Sequence, residues 1–280
     1  MGGRLLALRN VLKAWALLFV VCAVLGGIGW IVDGYRLFSI FVFAGLLVGA
    51  GMYWYADRAV LGLVGARELP QGESPALHST AERLAALAGI SKPRVWLMPD
   101  GLPRACVCGR GPRSSTLVVS RGLLQALPPA ELEGVLAHEL AHVRHRDVLV
   151  QSFAAVVAAS LIETSRIGGW FRRALLFVLG PVAAAFVHLL LSPKREFHAD
   201  RAAAWICGSP HGLAAALPRL DQASELVAFQ GSPAAECLYT INPFEREGLA
   251  GLFDTHPPVQ ERVRRLNALH PGGLDALRAA

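Results

Sequence analysis

The run His138-Glu139-Leu140-Ala141-His142 sets two imidazoles four positions apart, with a carboxylate beside the first. On a helix that spacing puts both rings on one face, about 5–6 Å apart at Cβ, within the bite of a single cation. Glu139 then stands where it can reach a water on that cation. A string of this kind is expected by chance ~0.013 times in a chain of this composition, so it is informative without being decisive. A catalytic zinc takes three protein ligands and keeps a fourth position open for water. The third ligand is not a histidine six residues on, because that position is Val148. Glu163 and His188 fall in apolar segments that, if they cross a membrane, carry the one away and disfavour the other. Further on, Lys194-Arg195-Glu196-Phe197-His198-Ala199-Asp200-Arg201 again offers an i, i+4 pair, Glu196 and Asp200. One of these carboxylates can ligate the metal while the other accepts the free ring N–H of a ligand histidine. His198, two positions from Glu196, points to another face and reads as polar surface.

The elements that must position these groups are apolar. Of 280 residues, 54% are hydrophobic and only 17% charged, which excludes a disordered or fibrous chain and indicates a membrane protein. Residues 14–32 and 37–56 are free of charge and flank the turn Asp33-Gly34-Tyr35-Arg36, so they read as a transmembrane hairpin ending in the interfacial aromatics Tyr53, Trp54 and Tyr55. A second pair covers 148–162 and 174–193; its first member has 15 charge-free positions, about 22 Å of helix against a ~30 Å hydrocarbon core. Lys and Arg near the segment ends concentrate on the side of the N-terminus, with only Arg36, Arg166, Arg172 and Arg173 opposite, which puts the termini and the polar segments in the cytoplasm. The net charge of +6 is then an orientation signal, and no nucleic-acid partner is expected. The resulting organisation is an N-terminal transmembrane hairpin (1–56), a cytoplasmic part with the sheet and the metal-binding helix (57–147), a second apolar hairpin (148–193) and a cytoplasmic part with the third ligand and C-terminal helices (194–280).

Within the polar segments, 74–88 predicts a helix with Ser74 as N-cap. The runs 95–98, 105–108 and 116–120, separated by Pro/Gly-rich turns, predict a small antiparallel sheet whose edge could pair with an extended peptide. Pro128-Pro129 opens the His138 helix, with Glu131 and Glu133 suited to its N-terminal dipole. A helix from Leu213 to Val227 kinked at Pro218, a polar loop over 230–242 and a last helix from Pro258 to about His270 complete the reading. The cysteines Cys22, Cys106, Cys108, Cys207 and Cys237 lack Cys-x-x-Cys spacing and read as small apolar packing, with Cys106 and Cys108 on one face of a strand.

These features together resemble the HtpX-type membrane metallopeptidases, the group that includes the type I CAAX prenyl endopeptidases. The resemblance is carried by the N-terminal hairpin, Ile90-Ser91-Lys92-Pro93-Arg94-Val95, the stretch from His138 to Asp147, Arg195-Glu196-Phe197-His198-Ala199-Asp200, and Thr255-His256-Pro257-Pro258 followed by Glu261-Arg262. It implies a gluzincin-like fold, mainly α-helical, with one Zn²⁺ per chain on His138, His142 and Glu196, Glu139 as general base and Asp200 behind a ligand. It also brings His256 and Arg262 near the site, as stabilisers of the oxyanion or, for His256, as a helix cap. Where the family usually has Asn-Ala-Phe-Ala, this chain has Arg104-Ala105-Cys106-Val107, a departure at the substrate-facing edge. The implied function is a zinc endopeptidase of the bacterial cell membrane, acting from the cytoplasmic side on misfolded membrane proteins and other protein substrates in quality control and stress response. The alternative is a metallopeptidase-like sensor or signalling protein with site-specific or vestigial activity.

Overall fold

The computed structural model describes residues 2–166, 185, 187–188, 191–226 and 256–269. Arg172, Arg173, most of the fourth apolar segment, the polar loop over 230–242 and Cys237 lie outside them. The chain starts with helix α1 (Gly2–Leu63), which is broken at Asp33 and Gly34, where Gly34 takes a φ of 59°. The two arms fold against each other. A Cβ on Gly29 would stand 2.5 Å from the Leu37 carbonyl oxygen and one on Gly26 2.8 Å from the Val42 side chain, so glycine is what lets the arms approach. Trp30 meets Phe38 edge to face across the turn. The segment Gly26–Leu63 is long and apolar enough to cross a membrane. Large apolar side chains lie exposed along α1, Ile31 at 84% and Phe19 at 73%, a larger apolar surface than soluble monomers usually present.

After β1 (Arg67–Glu68), helix α2 (Pro75–Ala88) begins with Pro75 in its first turn; Ser74 occupies the N-cap position but its side chain makes no capping bond. Then come β2 (Arg94–Met98), β3 (Ala105–Gly111) and β4 (Ser114–Ser120). The sheet is four-stranded and mixed, in the order β1-β2-β4-β3, not the antiparallel sheet the turn chemistry predicts. β4 pairs antiparallel with β3 through the two-residue turn Pro112-Arg113, but parallel with β2, placing Val95 beside Leu117 and Leu97 beside Val119. The reason is the crossing loop 99–104. Ser120 at the end of β4 accepts from the Arg104 N–H at 2.8 Å and the Leu123 N–H at 3.0 Å, and donates to the Leu102 carbonyl. A Cβ on Gly122 would lie 2.0 Å from the Gly101 carbonyl oxygen. The loop therefore passes over the end of β4, leaving the central slot to the strand buried along nearly its whole length.

Alternation along the strands then divides the interior. Val95, Leu97, Ala105, Val107, Leu117 and Val119 face one core, with α2 and the helices beyond the sheet; Met98, Cys106, Cys108 and Val118 face a second, with Val60 and Leu61 of α1. The cysteines at 106 and 108 share that second face, fully buried, and burial with the nearby Asp57 carboxylate pushes the Cys108 thiol up to about 12, so both serve as packing.

The short α3 (Arg121–Ala126) leads into α4 (Pro129–Arg144), which has Glu131 in its first turn and is buried nearly throughout its length beyond it. α5 (Asp147–Arg166) comes next, and its 20 residues outrun the charge-free stretch by taking in Asp147, Glu163 and Arg166. α6 (Lys194–Cys207) and α7 (His211–Leu226, with Pro218 inside) pack against α4, and α8 (Val259–Asn267) packs on α7 and α6. The closest approach is α4 to α7, where a Cβ on Gly134 would lie 2.4 Å from the Leu213 nitrogen. Backbone cannot yield as a side-chain tip can, so Gly134→Ala should cost about 1–3 kcal/mol of stability, read as a lowered thermal midpoint against Gly72→Ala, whose Cβ meets open space.

Candidate metal centre

α4 is the scaffold of the site. It carries His138, Glu139 and His142, all fully buried or nearly so, in the layer between the sheet and α6. α6 brings Glu196 and Asp200 to the same point, also buried. The two imidazole Nε2 atoms stand 3.2 Å apart; Glu196 Oε2 is 3.4 Å from His138 Nε2, and Glu196 Oε1 is 3.6 Å from His142 Nε2. Ligands about 2.0–2.2 Å from one tetrahedral centre stand roughly 3.3–3.6 Å from one another. Each Glu196 oxygen lies about that far from one of the two nitrogens, and one ligand atom from each residue falls within 4.8 Å of the others, which suits a single cation. Both Glu196 oxygens are buried and face the two Nε2 atoms without a well-formed hydrogen bond, the lone-pair placement that suits a metal ligand.

The other ring nitrogens fix the tautomers. His138 Nδ1–H donates to Asp200 Oδ1 at 2.9 Å, and His142 Nδ1–H donates to Asp147 Oδ2 at 2.9 Å, which leaves both Nε2 lone pairs facing the centre. Asp200 is itself held by Arg262, whose Nε donates at 2.9 Å and whose terminal nitrogen donates at 2.7 Å, a two-point clamp inside the protein. Arg262 also lies 3.7 Å from Glu196 Oε2, and His256, on the segment leading into α8, sits 3.9 Å from the same oxygen. Arg195 Nε stands 3.2 Å from Glu196 Oε1.

Charge supplies an independent argument. Glu139, Asp147, Glu196 and Asp200 are four buried carboxylates, while Arg195 and Arg262 are the two buried guanidiniums among them. With neutral histidines the cluster is two positive charges short of balance, and uncompensated buried charge is prohibitively costly. A divalent cation closes the deficit. Burial opposes the imidazolium of His138, but the carboxylates of Asp200 and Glu196 outweigh it and push the ring up to about 9. Glu196 is held well below the usual carboxylate range against its burial, chiefly by the charges of His256 and His142, and Asp200 is lowered against its own burial by Arg262 and His138.

Sequence reasoning named His138, Glu139, His142, Glu196, Asp200, His256 and Arg262, and these seven come together in space. It did not single out Asp147 or Arg195. Asp147 reaches His142 because Arg146 adopts a left-handed φ of 60°, which ends α4 and turns the chain back on itself; a carboxylate five residues after the second histidine was the available signal. The other candidates stand apart. His198 Nδ1–H donates to the Lys194 carbonyl at 2.7 Å, His188 is exposed, Glu163 lies near the far end of α5, and Val148 is in the core. At the departing edge, buried Arg104 pairs with Asp100 at 2.7 Å, and Cys106 points to the face of the sheet away from α4.

A helix bearing two histidine ligands and an adjacent glutamate, completed by a carboxylate from a later helix, defines a metallopeptidase site. The comparisons agree. Residues 71–270 match the model of Peptidase family M48. Over 278 residues the chain is 38% identical to the "Protease HtpX homolog" of Pelotomaculum thermopropionicum, covering 93% of this chain and 99% of the relative. Over 275 residues it is 36% identical to that of Pyrococcus abyssi, covering 92% and 95%. The crystal structure of S. mikatae Ste24p superposes with a TM-score of 0.47 at 18% identity, over 93% of this chain and 66% of that one. The chain belongs to peptidase family M48, as an HtpX-like metallopeptidase whose substrates are peptides or proteins.

Two outcomes are expected for the ion. Asp147→Ala should weaken metal binding about 10–100-fold while leaving one ion per chain, as titration with a competing chelator would read. Because the ion must displace a proton that folding raises on His138 to about 9, apparent affinity should rise about tenfold per pH unit from neutrality up to about pH 9 and then level off.

Proposed function

We propose that the chain is a membrane-embedded zinc endopeptidase that cleaves membrane and membrane-associated proteins at the cytoplasmic surface, in protein quality control. The observation that carries the reading is the buried, inward-facing set His138, His142 and Glu196, with ligand atoms within 4.8 Å of one another and Glu139 beside the first of them on the same helix. Two nitrogens and one carboxylate with an open fourth position is a donor set suited to catalytic zinc.

Bound there, zinc would acidify a water towards a pKa of ~7 and polarise the scissile carbonyl. Glu139 takes the proton of the attacking water and returns it to the leaving amine. Asp147 and Asp200 keep the two imidazoles in the ligating tautomer and at a fixed ring angle. Arg262, with its guanidinium committed to Asp200, supports that carboxylate and adds positive charge beside Glu196, while His256 donates toward the oxyanion of the tetrahedral intermediate.

The placement at a membrane rests on α1. Its apolar surface is unshielded over the length of a bilayer, and its last turns dock through Val60 and Leu61 onto the outer face of the sheet. On the opposite side of that sheet lies α4, so the apolar helix and the site are joined through one sheet. Substrates that emerge from the membrane are the ones such a site meets.

Glu139→Gln in the zinc-loaded full chain tests the assignment: cleavage of an unfolded model protein should fall by at least about 10²-fold with zinc content unchanged. Cleavage that persists with zinc bound would assign the base elsewhere.

A further inference from the structure

At the end of the apolar surface of α1, three aromatic residues in a row, Tyr53, Trp54 and Tyr55, stand exposed. Two arginines from different parts of the chain lie over them. The Arg110 guanidinium, on β3 at the bulge between Gly109 and Gly111, is 4.6 Å from the centre of the Trp54 ring and 5.8 Å from that of Tyr53. Arg58, one turn further along α1, is 5.5 Å from the Tyr55 ring centre. Trp54 and Arg58 are i and i+4 on one helical face, and both guanidiniums lie against the same run of three aromatics.

A guanidinium held over an aromatic ring can still offer N–H groups to an anion. The acid next to Arg58 in the chain is engaged elsewhere. The Asp57 carboxylate is half-turned into the protein, accepting the Arg58 backbone N–H at 2.9 Å through one oxygen and pairing with Arg94 at 3.3 Å through the other. Arg113, exposed at the tip of the β3–β4 turn, adds a third positive charge close in sequence to Arg110. Only Ser114 Oγ, which accepts from Arg110 at 3.3 Å, shares the patch as a described polar partner. A cationic pair seated on exposed aromatics, where an apolar helix surface gives way to polar protein, has the chemistry of the headgroup layer.

We propose that Arg58 and Arg110 form a binding site for the phosphate of an anionic phospholipid headgroup. This rests on the membrane-embedded reading above. Phosphate-diester oxygens accept from the two guanidinium edges while the acyl chains continue along the apolar surface of α1. The site joins α1 to β3, so an occupied headgroup would tie the end strand of the sheet to the bilayer and hold the catalytic layer at a set height.

The test uses the full chain in nanodiscs of phosphatidylcholine containing a minority of phosphatidylglycerol, with retained lipids weighed by native mass spectrometry. The wild type should retain phosphatidylglycerol in excess of its share. Arg58→Gln and Arg110→Gln should each lower that selectivity about fivefold, the double variant should abolish it, and Arg121→Gln, at an exposed arginine elsewhere, should leave it unchanged. Arg110→Lys should keep part of the selectivity, and covers the case in which the glutamine variant fails to fold. Entry of the protein into the discs is scored separately. Failure to enter sinks the membrane-embedded reading, whereas entry with no selectivity, or selectivity unchanged in the double variant, overturns the lipid site alone. Inorganic phosphate that displaces the lipid as effectively as phosphatidylglycerol does would also overturn it, by making the site one for soluble anions.

Discussion

The buried negative charge around α4 is the constraint on which the rest of the structure depends. Four carboxylates and two guanidiniums are enclosed where water cannot screen them, gathered around the two histidines of one helix. An arrangement of this kind is stable only when its charges are matched and its lone pairs directed. In the clamp of Arg262 on Asp200, and of Asp200 on His138, each member would be costly alone and is held by the next. The surrounding packing has the task of keeping this cluster dry and rigid.

The sheet and helices meet that task through an uneven division of labour. One face of the sheet serves α4 and the catalytic layer, and the other receives α1 and α5, so every second residue of β3 and β4 belongs to a different structural problem. This explains why the strands are buried on both faces and read as near-continuous apolar runs. It also explains the small residues. Gly134 admits α7 against α4, and Gly26 and Gly29 admit one arm of α1 against the other, in one case to tighten the catalytic layer and in the other to close a hairpin in an apolar setting.

The parts of this arrangement legible in the sequence were those set by local chemistry. The four-residue spacing of His138 and His142 and of Glu196 and Asp200 survives into three dimensions because a helix is a fixed ruler. The turn at Asp33-Gly34 is visible because two charge-free runs leave no other place to reverse. The parallel pairing of β2 with β4 was not visible, since it depends on Ser120 and Gly122 drawing the loop 99–104 across the strand end, a contact between residues whose individual chemistry only says "turn". Asp147 was missed for a similar reason. Its partnership with His142 needs Arg146 in a left-handed conformation that no propensity favours for arginine, so the tertiary contact dictates the backbone.

The donor atoms come from two stretches of chain, with the whole of α5 lying between His142 and Glu196. During synthesis the histidine helix therefore emerges well before its carboxylate. Until α6 has been made and seated, the nascent chain holds at most half a coordination sphere and none of the Asp200–Arg262 clamp. The order of the chain thus makes the donor set a late product of synthesis, complete only once the carboxylate helix has followed the histidine helix into place.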